Sequence, residues 1–366
     1  MNSIKSTLPR TQLSQYTPGQ EINFELIHEG EALKANSCYL TGQLVCTVPG
    51  GVADQKFYDN FTGIASFLEN VHVKCDLFSE IITNYGRHVA MNNKGTLSAD
   101  QLCSGLKNSS EMIVPTTEQT RVVLQDSQAA TPFGFAHKLM NSLNNMSGDL
   151  EYARSGKIML SFKLPSLTKV FFGQNVAASI TNYYWQNVEL HYMTVPAGSP
   201  SVSIRVVEDT QKLISTSNTT VFNTFINPID NLLVSFAPTT AETDQTQNAL
   251  VCSMPDIQKL SFVYNDQSNR LVSYEIETKE ELVLSGYSVL SSMGQAVDLR
   301  DKFSLPLQDP AHSISDGFLV GLALGQLMDF SRSGLGVNVQ ANLKIVNNVV
   351  EQLYCYMVGY GSRVLF

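Results

Sequence analysis

Charge is scarce in this sequence. Only 16% of the 366 residues are Asp, Glu, Lys or Arg, against roughly 25% in an average soluble protein. Asn, Ser, Thr and Gln supply the surface polarity instead. Ionised groups are costly to desolvate, whereas amides and hydroxyls are covered by a neighbour at modest cost, so this composition fits a surface largely buried in an assembly. A secreted or polar β protein is the alternative it leaves open. Basic residues are the scarcer sign, 24 against 33 acidic for a net charge of −9, and no Lys/Arg cluster stands out. That argues against a protein whose main task is gripping nucleic acid, which needs a basic stripe to neutralise phosphates.

Long apolar runs are missing too. The start MNSIKSTLPR lacks the apolar stretch of a signal peptide, and the most apolar window, residues 317–328, is too short to cross a bilayer as a helix. Neither secretion by that route nor a membrane-spanning helix is expected. The Asn-x-Ser/Thr sequons at Asn60, Asn108, Asn145 and Asn218 are read as unmodified for that reason. Six cysteines (Cys38, Cys46, Cys75, Cys103, Cys252, Cys355) are scattered without a Cys-x-x-Cys pair, which points to reduced, mostly buried thiols rather than a zinc ribbon or a disulfide framework.

Catalytic motifs are equally absent. There is no Gly-x-Ser-x-Gly, no Gly-x-x-x-x-Gly-Lys-Ser/Thr, no His-Glu-x-x-His and no Gly-x-Gly-x-x-Gly. The histidines are isolated. Glu189 and His191 share one strand face, as metal ligands do, yet a polar exposed face is the simpler account. Asp309, His312 and Asp316 with their neighbouring serines lie close in sequence, but triads assemble in space, so a polar Pro-containing loop is the better reading. The aromatic run Tyr183-Tyr184-Trp185 has the chemistry to stack on sugars or bases, and packing is its commoner role.

What the sequence does contain is alternation of period two, the pattern of strands with one face on a core. Ile22, Phe24 and Leu26 alternate with polar neighbours, as do Ile158, Leu160, Phe162 and Leu164, and then Val188, Leu190 and Tyr192. Val202, Ile204 and Val206 repeat the pattern, and residues 337–345 alternate almost perfectly. Helical spacing is confined to residues 57–68, where Phe57, Phe61, Ile64 and Leu68 fall on one face interrupted by Gly63, and to residues 280–292. Residues 92–110 and 239–248 read as long surface loops. The stretch Pro196-Ala197-Gly198-Ser199-Pro200 ends pairing on both sides and divides the chain into similar halves. The resulting organisation is an arm at 1–20, a first sandwich at 21–196, a linker at 197–200 and a second sandwich at 201–366, each half an antiparallel two-sheet unit. The arm is polar, holds Lys5 and Arg10 and no acid, and is expected to be mobile.

Several segments, in their order along the chain, resemble the double jelly-roll major capsid proteins of tailless icosahedral double-stranded DNA viruses, the lineage of tectiviruses, virophages and polinton-like viruses. In the first half these are residues 62–75 with the following Ile81-Ile-Thr-Asn-Tyr85, residues 158–167 with Phe171-Phe-Gly173, and Trp185-Gln-Asn-Val-Glu-Leu190. In the second half they are residues 229–238, the run from 317 through the alternating strand to Ile345, and Tyr354-Cys-Tyr-Met-Val-Gly-Tyr360. The resemblance implies an all-β fold of two tandem eight-stranded jelly-roll sandwiches with short helices in loops. It further implies a non-enzymatic structural protein of the virion, without cofactor or metal, that forms homotrimers with a pseudo-hexagonal outline and packs them into an icosahedral shell. Its partners would be itself, neighbouring trimers, penton and minor capsid proteins, and an internal membrane or packaged genome met by the interior-facing arm carrying Lys5 and Arg10. A tandem β-sandwich carbohydrate-binding protein or glycosidase, or a trimeric receptor-binding spike, would share the strand pattern.

Overall fold

The computed structural model describes residues 2–47, 62–96, 132–171, 182–198, 201–214, 218–224, 229–244, 247–250, 252, 257–265, 271–277, 279–292, 320–322, 338–345 and 352–365. The first half contributes β1 (Ser3–Thr7), β2 (Glu21–Leu26), β3 (Glu31–Leu33), β4 (Tyr39–Thr47), β5 (Asn70–Lys74), β6 (Ser79–Ile82), β7 (Phe133–Lys138), β8 (Leu150–Glu151), β9 (Ile158–Lys163) and β10 (Asn182–Pro196). The second half contributes β11 (Ser203–Ile214), β12 (Asn218–Thr224), β13 (Asn231–Pro238), β14 (Ile257–Asn265), β15 (Leu271–Ile276), β16 (Val320–Leu322), β17 (Asn338–Ile345) and β18 (Leu353–Val364). Among the described residues three α-helices interrupt them: α1 (Tyr85–Thr96), α2 (Tyr152–Ser155) and α3 (Lys279–Ser292).

The strand orders are the same in both halves. In the first, one sheet runs β1-β10-β4-β7 and the other β2-β9-β5-β6, with β3 and β8 as a short pair added at the end of β10. In the second, the sheets run β11-β18-β13-β16 and β12-β17-β14-β15. Each half therefore starts and ends on adjacent antiparallel strands and divides its strands between two sheets in the same way. This is the jelly-roll order, and the chain is two of them in tandem.

Alternation accounts for the sandwich cores. Ile22, Phe24 and Leu26 of β2 and Ile158, Leu160 and Phe162 of β9 are buried, facing Leu40, Leu44, Trp185 and Leu190 of the opposite sheet. In β10 the buried set changes parity, from Tyr183 and Trp185 to Val188, Leu190 and Tyr192. A bulge between Gln186 and Glu189 absorbs the extra residue, with Asn187 at φ 51°, a left-handed conformation that Asn tolerates. Tyr183 and Trp185 lie fully inside, in edge contact with Phe67 and ring contact with Phe135 respectively. The aromatic run is core packing, with only Tyr184 half-buried.

The expected helix at 57–68 is in its described part a 3-10 turn, Gly63–Phe67, wholly buried, with Gly63 at φ 57° breaking any longer helix; Phe57 and Phe61 lie outside the described residues. The expected helix at 280–292 is α3. Residues 92–110 do not begin as a loop, because residues 92–96 complete α1 and Asn92 is buried. Five cysteines, Cys38, Cys46, Cys75, Cys252 and Cys355, are unpaired and buried, and burial pushes the Cys38, Cys46 and Cys355 thiols up to about 12. Cys103 and residues 309–316 lie outside the described residues.

Candidate functional site

The N-terminal residues take a different place from the one expected. Ser3–Thr7 is the first strand of the first roll, pairing with β10 from Ser3↔Thr194 to Thr7↔Leu190, in the position that β11 holds beside β18. The segment stays on the roll after β1. Arg10 donates its backbone N–H to Asn23 O at 2.7 Å, and Tyr16, buried, exchanges two backbone hydrogen bonds with Trp185. Lys5 stands 3.7 Å from Glu31 and Arg10 3.5 Å from Glu25. Residues 2–20 are thus not a mobile arm outside the sandwich. The open backbone edge of β10 recruits them, and both cations are met by carboxylates of the same roll.

The two rolls meet through a joint that is largely polar and largely buried. It is built by the end of β6, the two residues that follow it, and α1. Asp209 of β11 accepts from Thr83 N at 2.8 Å, Asn84 N at 2.7 Å and Thr83 Oγ1 at 2.9 Å, capping the turn that starts α1. A carboxylate at a helix N-terminus satisfies N–H groups that have no partner inside the helix and sits favourably on its dipole. In the opposite direction Glu80 of β6, buried, accepts from Val207 N of β11 at 3.0 Å and from Ser142 N of its own roll at 2.9 Å. The two carboxylates bind the rolls reciprocally. Burial pushes the Glu80 carboxyl up to about 7 against the pull of its two backbone donors.

Helix α1 then lies against the outer face of β18. Arg87, buried, extends over the ring of Tyr356 at 4.3 Å from its centroid and donates to Ala249 O. Asn92 Nδ2 donates to Tyr360 Oη at 2.7 Å, and His88 Nδ1 lies 3.1 Å from the same hydroxyl. Burial pulls the His88 imidazole down to about 4, so it is neutral in this setting. Beside these groups an ionic chain links the rolls: Glu69 with Lys163 and Lys169, Lys169 with Glu242, and Glu242 with the Tyr356 hydroxyl at 2.6 Å. The cavity among Ser66, Arg87, Lys169, Glu242 and Tyr356 measures about 40 Å³. A pocket for a small molecule is roughly ten times larger.

The other groups singled out in the sequence are dispersed. Glu189 and His191 lie 3.5 Å apart on the half-exposed outer face of β10, where His191 Nε2 is 3.0 Å from Thr41 Oγ1. A shallow open groove of about 480 Å³ runs beside them over Gly42, Gly134 and Asn187. Lys5 and Arg10 belong to β1 and the segment after it, away from the joint. Sequence reasoning missed Glu80, Arg87, His88, Asn92 and Asp209. None lies in a motif, and the one usable cue was a lone Glu in a short strand whose apolar residues should face a core.

No family model matches this sequence, and no curated protein does. Solved structures do match it in shape. The chain superposes over 100% of its length on 86% of a chain in the structure of the Sputnik virophage, with a TM-score of 0.63 at 11% identity. It superposes over 100% of its length on 90% of the Faustovirus major capsid protein, with a TM-score of 0.58 at 9% identity. For the mavirus major capsid protein the figures are 98% of this chain, 86% of that one, a TM-score of 0.52 and 9% identity. The fold is the double jelly roll.

Proposed function

We propose that this chain is the major capsid protein of a tailless icosahedral double-stranded DNA virus, acting by self-assembly and without catalysis. The observation that carries the reading is the shape match over 98–100% of the chain to two major capsid proteins and to a virophage chain. Three copies would place six like rolls around one axis and give a capsomer with a nearly hexagonal outline, which tiles a closed shell with its own copies and with penton and minor capsid proteins. The composition supports the same reading. A subunit with sides on its own trimer, on neighbouring trimers and on the interior shows little surface to water, and amides and hydroxyls are cheaper to bury there than charges. The end of the first roll that carries Lys5 and Arg10 would face the interior, toward lipid headgroups or packaged DNA.

Light scattering coupled to size exclusion on the expressed chain, followed by electron microscopy, tests this. The expected result is a trimer with a six-lobed projection, and icosahedral particles when the protein is expressed with its vertex partners. A monomer at every concentration would overturn the proposal.

A further inference from the structure

The joint encloses a small cavity that its own hydrogen bonds leave unfilled. The wall comes from both rolls: Ser66, Glu69, Arg87 and Lys169 from the first, Glu242 and Tyr356 from the second. At about 40 Å³ it is too small for an organic ligand. A water needs at least about 10–15 Å³ to enter, so the space suits a monatomic guest. Ser66 stands in this wall on the buried turn Gly63–Phe67, is itself 4% exposed, and has a hydroxyl with no hydrogen-bond partner. A buried polar group left this way costs free energy that a guest in the cavity would recover.

Hydrogen-bond accounting identifies the guest. The carboxylates of the wall are already engaged: Glu69 Oε1 lies 2.9 Å from Lys169 and its Oε2 2.9 Å from Lys163. Glu242 Oε1 accepts from Tyr356 Oη at 2.6 Å and from Gln211 Nε2 at 3.1 Å, and its Oε2 faces Lys169 at 3.6 Å. The carbonyls of Pro165, Ala249 and Leu68 accept from Tyr183 Oη, Arg87 and Gly86 N. Donors are left over. The Ser66 hydroxyl is one, and the Lys169 ammonium has three N–H groups for two carboxylate oxygens. A water would need acceptors for its own two hydrogens, whereas an anion only accepts. Charge points the same way. Arg87, Lys163 and Lys169 bring three cations to Glu69 and Glu242, and Asp209, the other carboxylate near this turn, faces Thr83 and Asn84 and does not line the cavity. Gly86 and Arg87 lie in the first turn of α1, the end of the helix dipole that favours negative charge. The N–H groups of Tyr85 and Gly86 are spent on the carbonyls of Glu69 and Leu68, so the helix contributes field rather than contact.

We propose that the joint binds one halide-sized monovalent anion, chloride in ordinary buffers, held between the rolls by the Ser66 hydroxyl and the Lys169 ammonium. Lys169 and Glu242, with side chains 32% and 16% exposed, leave the ion a way in. Because both rolls supply the wall, occupancy stabilises the docked joint over its opening. The site lies within one chain and does not depend on the assembly reading.

Diffraction from crystals of the full chain soaked in sodium bromide tests this directly. An anomalous peak at the bromine edge is expected in the cavity, within hydrogen-bond reach of Ser66 Oγ and Lys169 Nζ. Density there without anomalous signal would be water and would overturn the proposal. In solution, urea unfolding at constant ionic strength compares chloride with gluconate, which is too bulky to enter. With chloride at about ten times its dissociation constant the unfolding constant should fall about tenfold, and Ser66→Ala, which keeps the backbone bonds of its turn, should lose most of that effect. No chloride dependence in the wild type, or an equal one in Ser66→Ala, would also overturn the site. The diffraction test needs no variant and decides the matter even where Ser66→Ala fails to fold.

Discussion

The two rolls share one strand order but differ in how much of themselves they bury. In the second, β13 is buried at seven consecutive positions, Asn231 through Ala237, and β18 at seven, Cys355 through Gly361, so both faces of that sheet are covered. In the first, β10 alternates buried and half-exposed residues on either side of its bulge, so that among the described residues its outer face is only half covered. The covering layer over β18 is α1, which belongs to the first roll. The difference teaches that equivalence of topology is not equivalence of autonomy: the second roll borrows part of its core from the first, and among the described residues nothing comparable covers the outer face of the first.

Separating the rolls should break the comparison most strongly. Residues 201–366 expressed alone should be insoluble or molten, because Tyr356, Val358 and Tyr360 lose their cover, while residues 1–198 should stay soluble with cooperative unfolding. Solubility and thermal circular dichroism of each half decide this, and a second half that melts cooperatively would contradict it.

A subtler break uses acid. A carboxyl raised from 4.5 to about 7 gives Glu80 a contribution that is complete below 4.5 and is lost as pH rises through 7. An imidazole lowered from 6.5 to about 4 gives His88 the opposite dependence, complete above 6.5 and lost as pH falls through 4. Each amounts to on the order of 3 kcal/mol, and between these limits they oppose each other. His88→Gln should therefore make the protein more stable on going from pH 7 to 5, Glu80→Gln should make it less stable on going from pH 6.5 to 4, and the wild type should be flatter than either. Urea midpoints across that range read the three slopes. The smallest expected effect is that of Asp209→Ala, about 1–2 kcal/mol from losing the cap on the turn before α1, seen as a lower urea midpoint with no new pH dependence between 6 and 8.

Much of the architecture is legible in the sequence where one face of a strand meets a core. The alternations at 22–26, 158–164 and 337–345 are β2, β9 and β17, and the segments at 229–238 and 354–360 fall on β13 and β18. β1 is illegible for a physical reason: its one large apolar residue, Ile4, points away from the roll, so the pattern carries no core signal. α1 is illegible because it is buried all round, with Arg87, His88 and Asn92 inside alongside Tyr85, Val89, Ala90 and Met91, so no apolar stripe stands out against a polar face, and its sequence includes Gly86 and Gly95. The joint could not be read at all, since Glu80 and Asp209 acquire their roles only when another roll brings backbone N–H groups within reach.

The pairing of β1 with β10 and of β11 with β18 also sets a timetable for the growing chain. Ser3 meets Thr194, and Ser203 meets Val364, so each roll joins its earliest-made strand to its last. At synthesis rates of about 5–20 residues per second, Ser3–Thr7 waits on the order of ten seconds or more for β10 to emerge, longer than most isolated strands and turns need to form and dissolve many times over. Closure is then a long-range event, of the kind that makes β topologies slow to fold. The β1 edge is thus made well before the strand it pairs with and is among the last parts of its roll to find its place, and its short length and polar Ser and Thr residues limit what it can wrongly pair with in the interval.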